Sequence, residues 1–348
     1  MNHGALVRTL ASTAFALCLL VVVLGAYVRL SNAGLGCPDW PGCYGHLTPA
    51  AAAADQHTIA APLAGRVLNV GKAWREMVHR YAAGTLALLI VAVAALSVIW
   101  RRERIVTPWY ALALLAIVVF QATLGALTVT RQLKPLIVSS HLLFGFTTLS
   151  LLWWLVMTLW LRNEPPPGRD APAGGGPLRT ARGCALLGLC VVVMQIALGG
   201  WTSSNYAAIA CPDLPTCQGQ WWPQADYRSA YVLWRDLDID YEGGVLANAA
   251  RVAIHLTHRL GAAVTTAALL LAAAVAMRVR TPVRARTAAV LLLLALGLQL
   301  SIGVGMVLRG FPLWLATAHN AGAALLLLAV LALIRSLTPV IMPPHDLP

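Results

Sequence analysis

Residues Val78 to Trp100 read VHRYAAGTLALLIVAVAALSVIW. Past His79 and Arg80 the run carries no charge, and it is long enough to cross a hydrocarbon core, which takes about 20 apolar residues in a helix. Ala and Leu follow one another without a period of two, so the stretch reads as a membrane-spanning helix and not as a barrel strand. Seven further runs have the same character: Thr9 to Val28, Trp109 to Thr130, Leu136 to Leu161, Gly183 to Thr202, Val252 to Met277, Ala288 to Leu308 and Leu313 to Ile334. Of 348 residues, 59% are hydrophobic and 11% charged, a balance foreign to soluble globular domains. The expected fold class is an all-α integral membrane protein with eight transmembrane helices. The first run is similar to a secretory signal, but its repeat partner lies mid-chain, so it is read as retained.

The chain is written twice. Gly36 to Cys43 reads GCPDWPGC and Ala210 to Cys217 reads ACPDLPTC. Gly25 matches Gly199 and Ser31 matches Asn205 at the same offset. A few positions of drift later, Gln121-Ala-Thr-Leu-Gly125 matches Gln299-Leu-Ser-Ile-Gly303, Arg131 matches Arg309, His79-Arg80 matches His258-Arg259, and His141 matches His319. Each half then holds four helices. An even number inserts both halves the same way, which predicts two four-helix bundles related by a pseudo-two-fold axis along the membrane normal. Residues 1–162 form the first half and residues 180–348 the second. Residues 163–179, with their Pro-Pro-Pro and Gly-Gly-Gly, form a linker.

The net charge of +12 would suggest nucleic acid in a soluble protein; in a chain of spans it speaks to orientation instead. Arginines crowd the short connections Arg101 to Arg104 and Arg278 to Arg286 and the linker from Arg162 to Arg182. These are expected on the cytoplasmic side with both termini. The long loops, roughly 29–77 and 203–251, then face outward with both Cys pairs and most of the acidic residues.

His79 and His141 in one half, and His258 and His319 in the other, stand at near-equal spacing at the outer ends of apolar runs. Imidazole in or near hydrocarbon is costly and is usually retained for a task. Two imidazoles at one depth on neighbouring helices suit axial ligation of a haem iron, so two bis-histidine sites are expected. Gly84, Gly145, Gly261 and Gly322 follow the histidines and would let a flat macrocycle approach the backbone. Arg80 and Arg259 could serve as propionate contacts, or simply snorkel to the interface. His255 lies one turn before His258, where the other half has Glu76 before His79. Glu76 could act at a porphyrin edge as a catalytic acid, or be an interfacial carboxylate paired with Lys72, Arg75 or Arg80. His3, His46, His57 and His345 receive no role.

Outside the membrane the compartment is oxidising. Cys37 with Cys43, and Cys211 with Cys217, are therefore expected to close as intraloop disulfides, each stabilising by about 2–3 kcal/mol. A zinc site competes, but the spacing is wide for a zinc knuckle and no nearby histidine is repeated. Cys18, Cys184 and Cys190 lie in apolar runs and read as packing residues. No facial triad of two His and a carboxylate and no nucleotide-binding glycine loop is found.

The segments GAYVRLSNAGLGCPDWPGC, EMVHR, IVSSH, CPDLPTC, THR and TAHN together resemble the haem A synthase family, in its Cys-containing, eight-helix branch, over essentially the whole chain. The resemblance implies an oxidoreductase that oxidises the C8 methyl of haem O to a formyl group, giving haem A for terminal oxidases. It implies haem O as substrate between His79 and His141, haem b as cofactor between His258 and His319, and a catalytic role for Glu76. It implies activity or haem handling for the first Cys pair. Haem O synthase and an electron-transfer partner would be partners, the lipid bilayer the environment and a bacterial inner membrane the location; no nucleic acid is involved.

Two other classes fit parts of the pattern. A di-haem cytochrome b-type electron carrier would keep both haems, but its ligand pairs would typically lie at two depths. A haem transporter or chaperone would explain an open site and an exposed Cys loop, yet gives Glu76 no chemistry.

Overall fold

A computed structural model describes residues 2–55, 65–161, 176–235, 239–278 and 283–338. Most of the linker, together with residues 236–238 of the second long loop, lies outside the described residues. Eight helices long and apolar enough to span a membrane are present among them: α1 (His3–Leu30), α2 (Val70–Ile99), α3 (Pro108–Thr130), α4 (Pro135–Leu161), α5 (Gly176–Ser204), α6 (Asn248–Arg278), α7 (Val283–Leu308) and α8 (Leu313–Ser336). Their starts follow local chemistry. The Asn2 side chain accepts from the Ala5 N–H and the Asn69 side chain from the Lys72 N–H, satisfying helix donors that have no intrahelical partner. Pro108 and Pro135 begin α3 and α4, where a missing N–H costs nothing.

Several helices outrun their apolar stretches. Helix α2 begins at Val70 and α6 at Asn248, so His79 and His258 sit roughly two and a half turns inside their helices and do not open them as the apolar runs implied. The reason is that polar Lys72, Arg75 and Arg251 continue the helix above the hydrocarbon, where hydropathy is silent and the backbone hydrogen bonds are unaffected. His141 and His319 lie within the second turns of α4 and α8.

Each half closes as a ring. Helix α1 packs on α2 and α4, and α3 on the same two; α5 packs on α6 and α8, and α7 on the same two. The halves meet through α1 with α8, α4 with α5 and α4 with α8. One apolar core, including Val22, Ile90, Leu114, Leu149, Val192, Leu269, Leu292 and Leu333, draws on all eight helices. Leu88, Trp109, Leu187 and Leu294 point outward and stay exposed. Helices apolar on every side are what lipid as a second solvent requires.

The long loops after α1 and α5 knit the halves together. Arg29 donates to the Tyr206 hydroxyl at 2.9 Å and to the Ser203 carbonyl at 3.0 Å, while its guanidinium lies over the Tyr206 ring. Arg66 pairs with Asp240 and Glu242, each at 2.6 Å, and Lys72 reaches Glu242 at 3.4 Å. Tyr241, 2% exposed, is driven in among Leu35, Val129 and Leu133 of the first half. The long loop after α5 is therefore partly a cover over the first half, a role that its sequence did not reveal.

Candidate functional site

The Cys loops are built alike. Cys37 is bonded to Cys43 and Cys211 to Cys217, with S–S distances of 2.04 and 1.99 Å. Each loop closes on one small bridge, Cys43 with His46 and Cys217 with Gln220. Asp39 accepts from the N–H groups of Tyr44 and Gly45, and Asp213 from those of Gln218 and Gly219. The Thr216 hydroxyl and these backbone donors hold the Asp213 carboxyl below its usual range. With all four cysteines in disulfides, the zinc alternative lapses, and among the described residues no cluster of three or more His, Cys, Asp or Glu is arranged to hold a metal.

Arg80 and Arg259 pin these loops to the helices. Arg80 donates to the carbonyls of Asp39 at 2.8 Å, Gly42 at 2.6 Å and Cys37 at 3.3 Å, and pairs with Glu76. Arg259 donates to the carbonyls of Thr216 at 2.7 Å, Asp213 at 2.8 Å and Cys211 at 3.1 Å. Neither guanidinium snorkels freely. The guanidinium groups satisfy loop carbonyls that the tight disulfide turns leave without backbone partners. Glu76 is only 4% exposed and accepts the Cys37 N–H at 2.9 Å on its second oxygen, so the carboxylate joins helix α2 to the first Cys loop. Of the partners expected for it, Arg80 is the one it takes.

The four histidines are seated by one repeated device. Each ring lies over a glycine of the preceding helix: His79 over Gly25, His141 over Gly125, His258 over Gly199 and His319 over Gly303. A methyl group built on those glycines would come within 3.0, 3.3, 3.3 and 3.1 Å of the respective rings. Gly145, Gly261 and Gly322 make room for the side chains of Gln121, Gln195 and Gln299, whereas Gly84 faces open space. Sequence reasoning had matched Gly25 with Gly199 and Gly125 with Gly303 as repeat markers, without the packing that explains them.

The rings of His258 and His319 stand 6.5 Å apart between centroids. Two imidazoles sharing one metal, each with a metal–nitrogen bond of about 2 Å, would place their centroids about 6 Å apart. His255, one turn before His258, also has a buried Nδ1 without a hydrogen-bond partner. It is 5% exposed, turned edge-on to Phe311 at 6.2 Å and toward the backbone of Ala207 and Ala208. That is the loop-facing place Glu76 takes in the first half. His79 and His141 lie within electrostatic reach of each other. The Nδ1 atoms of His79, His141 and His319 are buried without a hydrogen-bond partner. Beside the second pair, Gln195 and Gly261 line an apolar cleft of about 310 Å³ with Met194 and Leu198. Half-buried imidazoles with vacant nitrogens and small residues beneath the rings fit axial ligation of a haem iron.

The family model for COX15-CtaA, Cytochrome oxidase assembly protein, matches residues 8–331. This chain belongs to that family. It is similar to the heme A synthase of Shewanella oneidensis, 40% identical over 315 residues, covering 90% of this chain and 92% of that one. It is also similar to the heme A synthases of Shouchella clausii, 29% identical over 59% of this chain and 62% of that one, and Geobacillus kaustophilus, 33% identical over 44% of each. Family membership and eight apolar helices make the chain an integral membrane protein concerned with haem.

Proposed function

We propose that the chain is a haem A synthase, a membrane oxidoreductase converting haem O to haem A. The observation that carries this reading is the second-half pair, His258 and His319, at 6.5 Å with its twin in the first half, in a chain similar to a heme A synthase along nine-tenths of its length. The two halves are related by a pseudo-two-fold axis, a reading supported by helix contacts that correspond when α1 exchanges with α5 and α4 with α8. His258 and His319 would hold haem b, which would supply electron transfer. Haem O is the substrate between His79 and His141, and its C8 methyl is oxidised to a formyl group. Bound haem iron supplies the redox chemistry. The chain's own groups orient and shield: the histidines hold the rings, the apolar walls exclude water, and Glu76, one turn from His79 and fixed by Arg80 and the Cys37 N–H, holds a charge or proton at the macrocycle edge. Arg80 and Arg259 brace the loops and would contact the haem propionates from there. The Cys loops face outward in a bacterial inner membrane and both termini face the cytoplasm; haem O synthase delivers substrate and an electron-transfer partner completes turnover.

The test is the haem content of the purified protein, by mass and reduced-pyridine spectrum. Haem O or haem A beside haem b is expected. Haem b alone in both halves would favour a di-haem electron carrier. A Glu76→Gln variant should still bind haem and stall before the aldehyde; full aldehyde yield would remove Glu76 from the reaction.

A further inference from the structure

Four helices carry one pattern, a residue followed four positions later by the histidine-seating glycine: Val21 and Gly25 in α1, Gln121 and Gly125 in α3, Gln195 and Gly199 in α5, Gln299 and Gly303 in α7. One helical turn separates the two positions, so the first of them borders the same imidazole. Three are glutamine and one is valine.

The glutamines behave differently in the two halves. In the second half the amides meet the rings. Gln195 Nε2 lies 3.2 Å from His258 Nδ1 and donates to the His258 carbonyl at 3.0 Å, and Gln299 Nε2 lies 3.3 Å from His319 Nε2. In the first half Gln121 turns its amide to the His141 carbonyl at 2.7 Å, and Val21 has none to offer. The rings of His141 and His79 face the main chain of Gln121 and Val21. The Oε1 atoms of Gln121, Gln195 and Gln299 are all buried without a partner.

An imidazole that gives one nitrogen to iron carries its proton on the other, and that N–H needs an acceptor to fix the tautomer and ring angle. Half a turn of the Gln299 amide offers its orphaned oxygen to the ring, while at Gln195 bringing Oε1 to the ring gives up the bond to the His258 carbonyl. A carbonyl inside a helix already accepts from the residue four positions on, so what it gives a second donor is shared. We infer that Gln195 and Gln299 are positioning residues that lock the second-half axial histidines, and that Val21 and the averted Gln121 leave the first-half pair loose, as a site that takes in substrate and releases product requires. The inference rests on the haem assignments proposed above.

The experiment follows haem leaving the full-length holoprotein in detergent toward excess apomyoglobin, each departing haem being identified by mass, with ferric low-spin electron paramagnetic resonance of what remains. Gln299→Leu and Gln195→Leu should release haem b about 10- to 100-fold faster and shift its g-values, and Gln299→Glu, which keeps an acceptor oxygen, should restore both. Val21→Gln, which adds an amide beside His79, should slow release from the first half by about tenfold. Release of haem b at the parental rate from both Leu variants, with unchanged g-values, would overturn the locking role. Unchanged first-half release from Val21→Gln would overturn the looseness assigned there. Absence of haem O and haem A from every preparation would instead count against the synthase reading, while the haem b rates would still decide the role of Gln195 and Gln299.

Discussion

Replacing Gly303 by alanine would set a methyl group 3.1 Å from Cε1 of His319, where unbonded carbons settle at about 3.5–4.0 Å. The ring must withdraw by roughly half an ångström, the tolerance within which a ligating side chain has to be held. Without iron the imidazole can turn aside, so the helices still pack and the strain falls on haem binding. Overpacking of this kind costs about 1–3 kcal/mol, which corresponds to roughly 5- to 160-fold weaker haem affinity. Titration of haem into the stripped, detergent-solubilised protein, followed by the bis-histidine low-spin spectrum, reads the effect. Gly297→Ala on the same helix, with nothing within 4 Å of the added carbon, is the control. Across the set, Gly25→Ala at 3.0 Å should damage its site more than Gly125→Ala at 3.3 Å. Unaltered affinity and spectrum in Gly303→Ala would refute the claim that these glycines seat the axial rings.

Arg80→Met leaves the Glu76 carboxylate buried with the Cys37 N–H but without its cation, which should cost about 3–5 kcal/mol; Glu76→Gln in the same chain should recover part of the loss, as a double-mutant cycle on thermal unfolding would report. Burial raises the Glu242 carboxyl, but the Arg66 hydrogen bond and the charges of Lys72 and Arg66 outweigh it and hold the group below its ordinary value of 4.5. Its folded pKa being depressed, the stabilisation is present above the unfolded value and lost as pH falls through the folded one. Melting temperature should therefore decline more steeply with acidification below about pH 4.5 in the parent than in Glu242→Gln. Tyr241→Ala empties the seat among Leu35, Val129 and Leu133 and should cost about 3–5 kcal/mol, with faster proteolysis of the long loop after α5 as the measurement.

Much of the architecture was legible because membrane spans announce themselves locally. The eight runs recur as α1 to α8, differing mainly where polar turns extend a helix beyond the hydrocarbon. The disulfides were legible too, since so short a Cys-x5-Cys span has few alternatives. The environment of the histidines was not. That Arg80 and Arg259 brace loop carbonyls, and that Gln121, Gln195 and Gln299 press against glycines chosen for another reason, depends on helix rotations that runs of Ala and Leu, apolar on every face, leave without a periodic signature.

From residue order alone came the membrane class, the duplication and the two histidine pairs, because each is written in local hydropathy or in the repetition of short strings. Folding in three dimensions decided what each imidazole leans on, why Glu76 is tied to the first Cys loop and how Tyr241 fastens one half over the other. These are contacts between helices far apart along the chain. Their partners are selected by the fit of small residues against rings and amides, a property of pairs of surfaces that no single stretch contains.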